Sequence, residues 1–272
     1  MTTTTLPLIV NSTTLHPLLG DANLLIIDLC KADVYRQYHL PGAVHLEYSD
    51  IIASQKPIMG LLPDDKQLEK VLSAIGIDQT QHVIAYDDEG GGKAARLLWT
   101  LQVLGHQHFS LLDGGLHAWT HRQLPLDNSP VMPVARQFSA HRNNDEIVTK
   151  EKILADLDNA SNTILDCRSP AEFSGEKRFA ERGGHIPGAV NWDWMRAIDT
   201  NNALQLHPPQ KILADLHAHG LEPGTHTIVH CQTHHRSSHT WLVLKSLGFE
   251  QVKGYPGSWS EWGNDATVPI ES

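Results

Sequence analysis

Cysteine is scarce: the 272 residues contain three, Cys30, Cys167 and Cys231. Three thiols are too few for a disulfide framework, so a reducing cytoplasm is the expected compartment. Positive charge is also short. Lys and Arg number 21 against 31 Asp and Glu, a formal net charge of −10. That balance argues against general nucleic-acid binding and against adhesion to an anionic membrane. It also means that an anionic substrate needs a local positive pocket. No apolar run is long enough to span a bilayer. The opening "MTTTTLPLIV" lacks the basic region, apolar core and small-residue cleavage site of a signal peptide, so none is expected. Apolar content, 40 %, is ordinary for a globular protein with a sizeable core.

What the chain does have is a repeat of itself. "IVNSTTLHPLLGDANLLIID" (9–28) aligns without a gap on "IVTKEKILADLDNASNTILD" (147–166). "HLPGAV" (39–44) matches "HIPGAV" (185–190), and "GGLHAW" (114–119) matches "GSWSEW" (257–262). "HVIAYDDEGGGKAARLLWTLQVLG" (82–105) matches "HTIVHCQTHHRSSHTWLVLKSLG" (226–248). The order is the same in both halves, which marks a duplicated domain and not a short-period solenoid. The second copy carries an insertion of about eight residues, within "SGEKRFAERGG", before its "HIPGAV". "LPLDNSPVMPV" (124–134), with its prolines, Asp, Asn and Ser, reads as an extended connection. The expected division is a first copy at 1–125, a linker at 126–145 and a second copy at 146–272.

Each half alternates short apolar runs with helical patterns. "NLLIIDL", "HVIAY", "NTILDC" and "HTIVHC" suit buried strands. In "DKQLEKVLSAIG" (65–76), Leu68, Val71, Leu72 and Ile75 share a helix face and Gly76 supplies a stop. "PQKILADLHAHG" (209–220) is its counterpart, opened by proline and ended by Gly220. Buried strands alternating with helices imply an α/β fold in which each half is a mostly parallel sheet flanked by helices.

The stretch "IVHCQTHHRSSHTW" (228–241) places Cys231 at the carboxyl end of a strand, ahead of a helix. In open parallel sheets ligands bind at that end. A loop curling into a helix can aim several backbone N–H groups at one centre, which favours an anion. His234, His235 and Arg236 can add positive charge. A free thiol is roughly 3 % thiolate at neutral pH, and lowering its pKa by about two units takes about 2.7 kcal/mol of anion stabilisation. Cys231 therefore reads as a nucleophile in an anion-binding loop, and the plain alternative is a small buried apolar residue. Cys30 and Cys167 follow Asp28 and Asp166 at the ends of apolar runs with no basic cradle and read as inert. In the first copy Asp87 stands where Cys231 stands in the second, followed by Asp88 and Glu89. That loop is expected to hold no anion. "GGGKA" fails the nucleotide-loop pattern, because Asp87 and Ala94 occupy positions where it requires glycine and Ser or Thr.

The duplicated half, "HIPGAV", the cysteine loop after a strand and the terminal "GYPGSWSEWG" (254–263) together resemble the two-domain rhodanese sulfurtransferases. The resemblance spans nearly the whole chain. It implies two tandem rhodanese-like domains, with only the second catalytic. It also implies that Cys231 takes a sulfane sulfur from a small anionic donor as a persulfide and passes it to a thiophilic acceptor such as cyanide, a thiol or a protein. The loop Cys231-Gln232-Thr233-His234-His235-Arg236 is similar to the histidine-containing loop of certain bacterial thiosulfate sulfurtransferases. It differs from the Cys-Arg-Lys-Gly-Val-Thr and Cys-Gly-Ser-Gly-Val-Thr loops of other members. Thiosulfate is the expected donor, with 3-mercaptopyruvate the alternative. By the same resemblance Gln232 to Ser237 form the substrate cradle. Arg182, in the insertion, is a candidate anion contact, a solvated surface arginine being the plain alternative. Trp194 either lines the pocket or packs in the core. Asp166 and Arg168 match a structural "DxR", and Trp119 and Trp262 are equivalent packing residues. No cofactor is implied, and a monomer is expected.

Three rivals remain. A cysteine phosphatase places five residues between its cysteine and arginine, whereas four separate Cys231 from Arg236. A metal could draw on His230, Cys231, His234, His235 and His239, but their spacing fits no standard zinc pattern. The third is a persulfide carrier that serves a protein partner.

Overall fold

In the computed structural model, which describes residues 6–157 and 162–272, the short apolar runs become parallel strands. Numbered along the chain, the first strands are β1 (Ile9–Val10), β2 (Leu24–Asp28) and β3 (Val44–His45). A hairpin of β4 (Ala53–Gln55) and β5 (Ile58–Leu61) follows, then β6 (His82–Tyr86) and β7 (Phe109–Leu112). The later strands are β8 (Asn162–Asp166), β9 (Val190–Asn191), a second hairpin of β10 (Ile198–Asp199) and β11 (Gln205–Leu206), β12 (His226–His230) and β13 (Val252–Gly254). One sheet has the order β1-β7-β6-β2-β3 and the other β13-β12-β8-β9, with every pair parallel. Register repeats as well. Asp28 pairs with Tyr86 across β2 and β6, and Asp166 pairs with His230 across β8 and β12.

The helices are α1 (Ser12–Leu15), α2 (Ala32–Gln37), α3 (Asp65–Ala74), α4 (Gly92–Val103) and α5 (Gly115–His121) in the first half. The second half has α6 (Lys150–Ala155), α7 (Pro170–Phe173), α8 (Pro209–Ala218), α9 (Arg236–Ser246) and α10 (Ser258–Trp262). In α3 the expected face is buried at Leu68 and Leu72, and Asp64 caps the start by accepting from the Gln67 N–H at 2.9 Å. The helix stops just short of Gly76, whose φ of +89° is the left-handed turn that glycine adopts freely. Proline opens α8, with Ile212 and Leu216 buried. Both halves are thus α/β, each with a parallel sheet flanked by helices, as the alternation implied.

The chain forms two compact units that are not contiguous in sequence. The first comprises the residues up to Ile51, Pro63–Asn143 and Ile198–Leu206, and so includes the β10–β11 hairpin. The second comprises Ile52–Leu62, Asn144–Ala197 and His207–Ser272, and so includes the β4–β5 hairpin. Each copy thus lends one hairpin to the unit built mainly from the other. The cores match. In the first unit Ile26, Ile84, Leu112 and Trp119 pack together, and in the second Ile164, Ile228, Trp259 and Trp262 do. The indole N–H groups of Trp119 and Trp262 donate to Pro125 O and Pro269 O, each at 2.8 Å, which satisfies the one polar atom of a buried ring. Past Asp127 the chain runs to Asn144 without helix or strand, leaving Met132 and Val134 about four-fifths exposed.

Candidate active site

β12 ends at His230, so Cys231 is the first residue beyond the strand, and α9 begins at Arg236. The loop between them is fixed by its carbonyls. Cys231 O accepts from the Trp259 N–H and Gln232 O from the Ser260 N–H, both at 2.9 Å. The first turn of α10 therefore draws the loop carbonyls outward and leaves loop N–H groups facing the Cys231 sulfur. His234 takes a left-handed φ of +54°, which curls the loop. Its ring nitrogen Nδ1 lies 2.8 Å from Ser237 Oγ, and Ser238 Oγ donates to its carbonyl at 2.6 Å.

Cys231 is fully buried. Burial alone would raise its thiol pKa. The Arg236 charge, the Ser237 hydroxyl and N–H, and the Thr233 N–H outweigh that and bring it below the ordinary thiol range. Burial pushes Cys30 and Cys167 the other way, and nearby carboxylates add to the rise. Among the three, only Cys231 sits where a thiolate is favoured.

Arg236 is held by Glu172, which accepts from Nη1 at 2.7 Å and Nη2 at 2.8 Å. Glu172 in turn closes the capping box of α7 with Ser169. Burial would raise the Glu172 carboxyl, but the Arg236 hydrogen bonds and charge and the Ser169 contacts bring it to about 2. Gln232 donates its side-chain amide to Phe179 O at 3.1 Å, which ties the loop to the insertion. Trp194 stands edge-on to His239 at 5.2 Å between centroids and 6.4 Å from His235, over the first turns of α9.

Several sequence expectations meet their geometry here. Asp166 and Arg168 form a buried pair, with Arg168 Nε 2.9 Å from each carboxylate oxygen and Nη2 donating to Gly184 O at 2.7 Å. Arg182 is tied to the C-terminal segment. Its guanidinium donates to the carbonyls of Val268 (2.8 Å), Trp262 (3.0 Å) and Asp265. These contacts pin the insertion to the C-terminal segment. Sequence reasoning missed Glu172, whose only signal was the S-x-x-E cap at 169–172. It also missed the β4–β5 hairpin. Met59 N donates to Ser260 Oγ at 3.0 Å, and Ser260 Oγ lies 3.0 Å from Met59 O. Gly60, with φ +80°, lies so close to the loop that a Cβ there would come 2.1 Å from Thr233 O.

In the first-copy loop a side chain takes the place of the thiol. Asp87 is fully buried, and its carboxylate accepts from the N–H groups of Glu89 (3.0 Å), Gly91 (2.8 Å) and Ala94 (3.0 Å). Asp87 O accepts from the Leu116 N–H at 3.0 Å, as Cys231 O does from Trp259. Burial and Glu89 raise the Asp87 carboxyl while those three N–H groups lower it, with a net rise. The loop is closed to outside anions because a side chain already fills it. As for the metal alternative, among the described residues no group of three or more His, Cys, Asp or Glu is placed to hold a metal ion. No helix among them is long and apolar enough to cross a membrane.

Two parallel α/β copies, the second with a thiol in an N–H cradle, define a sulfur-handling class of fold and site. The family model for the rhodanese-like domain matches twice, at residues 12–122 and 149–265, and the chain belongs to the rhodanese family. It is 39 % identical to the thiosulfate sulfurtransferase of Pseudomonas aeruginosa, over 98 % of this chain and 97 % of that protein. The thiosulfate sulfurtransferase of Azotobacter vinelandii is also 39 % identical, with 98 % and 97 % covered. That of Corynebacterium glutamicum is 32 % identical, with 97 % and 90 % covered. Among solved structures, an anaerobic ergothioneine biosynthesis enzyme from Chlorobium limicola superposes with a TM-score of 0.83 at 21 % identity. That match covers 92 % of this chain and 64 % of the other, and it shows shared fold alone.

Proposed function

We propose that this chain is a thiosulfate sulfurtransferase that works by double displacement through Cys231. The observation that carries the reading is the buried Cys231 directly after β12, inside a loop whose carbonyls are turned away by α10. The Cys231 thiolate attacks the outer sulfur of thiosulfate. A new S–S bond forms, the old one breaks, and sulfite leaves with the electron pair. The persulfide lies against the Thr233 and Ser237 N–H groups and the Arg236 charge. Those groups stabilise the charge that moves through the transition state. A thiophilic acceptor such as cyanide then takes the outer sulfur, and Cys231 returns as thiolate. Gln232, Thr233, His234, His235, Arg236 and Ser237 form the cradle around the donor. Thiosulfate is favoured over 3-mercaptopyruvate by the relatives' names. The catalytic copy is 146–272, joined through 126–145 to an inactive copy at 1–125. The protein works as a monomer in a reducing cytoplasm.

Intact mass after thiosulfate tests this. The expected gain is about 32 Da for one sulfur on the thiolate, removed by cyanide and absent in Cys231→Ala. If thiosulfate and mercaptopyruvate both fail to load Cys231, the sulfurtransferase reading is wrong.

A further inference from the structure

Cys167 and Cys231 stand opposite each other just past the end of a parallel strand pair. Asp166 pairs with His230 in register, and the residues directly after the two strands are Cys167 and Cys231. The Cys167 N–H donates to His230 O at 2.9 Å, so the ladder continues to this point. Neighbouring strands lie about 4.8 Å apart, inside the Cα separation of about 4.4–6.8 Å that a disulfide spans. In a parallel pair, residues in register share a sheet face, and here that face carries α9. Ser237, on the first turn of α9, reaches Cys231, and Thr240, one turn later, reaches Cys167. Both thiols are free and fully buried.

We propose that Cys167 is the resolving thiol of Cys231, so that a hydroperoxide closes the pair into a disulfide that a dithiol reopens. This rests on the reading of Cys231 as a reactive thiolate. The Cys231 sulfur attacks one peroxide oxygen; an S–O bond forms, the O–O bond breaks, and hydroxide or alkoxide leaves and is protonated. Cys167 then gives up its proton and its sulfur attacks Cys231. The S–S bond forms, the S–O bond breaks, and water leaves. Two thiols supply the two electrons that reduce the peroxide. A cradle that admits thiosulfate admits the smaller hydrogen peroxide. Burial keeps Cys167 a neutral thiol while Cys231 turns over sulfur. Proximity makes it the fastest partner once Cys231 is a sulfenic acid. The pair thereby protects the catalytic sulfur from irreversible oxidation.

The test uses the full, reduced chain, hydrogen peroxide, then denaturation, alkylation and peptide mapping. Alkylatable thiols are expected to fall from the three free cysteines to Cys30 alone, with a Cys167–Cys231 cross-linked peptide that a dithiol abolishes. Cys30→Ala should keep the cross-link. In Cys167→Ala, and in Cys167→Ser if the alanine variant folds poorly, Cys231 should pass to sulfinic acid and stay unlabelled after dithiol. A Cys231 sulfinic acid in the native chain without the cross-link, a cross-link to Cys30, or three thiols still alkylatable would each overturn the proposal. Thiosulfate loading, measured separately, distinguishes the cases. Loading without a cross-link refutes this inference alone, and failure of both refutes the thiolate itself.

Discussion

Glu172 and Arg236 face each other through two parallel hydrogen bonds, 2.7 and 2.8 Å long, and the cation of that pair also bears on the Cys231 thiol. Glu172 is nearly inaccessible and Arg236 about a quarter exposed, so each protects the other from standing alone in a poor solvent. The pair fixes the start of α9, and with it the cradle.

Removing either partner should therefore have two separable effects. Glu172→Gln and Arg236→Ala should each cost about 3 kcal/mol of stability, read from the denaturant midpoint. Their effects on the thiol should be opposite. Arg236→Ala should move the half-point of Cys231 alkylation against pH upward by about one unit or more, and Glu172→Gln should move it downward. Shifts in the same direction would mean that loop loosening, and not charge, sets the thiol.

Gly60→Ala should impair sulfur transfer from a position far away in sequence. The new Cβ meets the Thr233 carbonyl at 2.1 Å, and φ is +80°. Positive φ and overpacking together should cost about 2–3 kcal/mol. Because Thr233 supplies an N–H to the thiol, kcat for thiosulfate should fall at least about tenfold. Gly20→Ala, with φ +86° and open space around it, is the control: it should lose some stability but keep its rate.

Asp87→Ala should empty the first-copy loop. Three N–H groups, two of them buried, would lose their acceptor, at about 3 kcal/mol. Persulfide loading of Cys231 in the variant that remains folded should stay at one sulfur per chain by mass. Asp87→Asn keeps an acceptor oxygen and should lose less stability.

Acid should weaken the fold well above the carboxylate range. Burial holds His239 neutral, with its pKa at about 3, and burial with His108 and His106 takes His82 to about 4. Both lie below the ordinary histidine value near 6.5, so below that pH the unfolded chain binds protons that the folded one refuses. The stability these groups contribute is complete above pH 6.5 and declines as pH falls toward 4 and 3. For fully buried His239 the slope is about 1.4 kcal/mol per pH unit. Urea midpoints at pH 7.5, 6 and 5 should fall in that order, and His239→Phe should flatten the trend.

Much of this was legible in the chain. The repeat, the parallel strands, the helix stops at Gly76 and Gly220, the "DxR" pair and the placement of Cys231 beyond a strand all follow from local pattern, because hydrophobic period and turn chemistry act over a few residues. The carbonyl contacts of Arg182 were not legible, since a guanidinium in an insertion looks the same in sequence whatever its Nη atoms meet. The acids of the first loop pointed to a closed loop but not to its reason, which is that the Asp87 carboxyl itself takes the three N–H donors.

Sequence by itself determined the duplication, the α/β class and which loop carries a thiol, because each is written in contiguous residues. Tertiary structure decided which groups act on that thiol. Glu172 lies 64 positions before Arg236, Ser260 lies 201 positions after Met59, and Cys167 reaches the level of Cys231 only through strand register. Hydrogen bonds and packing between such distant segments depend on how the chain closes on itself, and no local pattern encodes that closure.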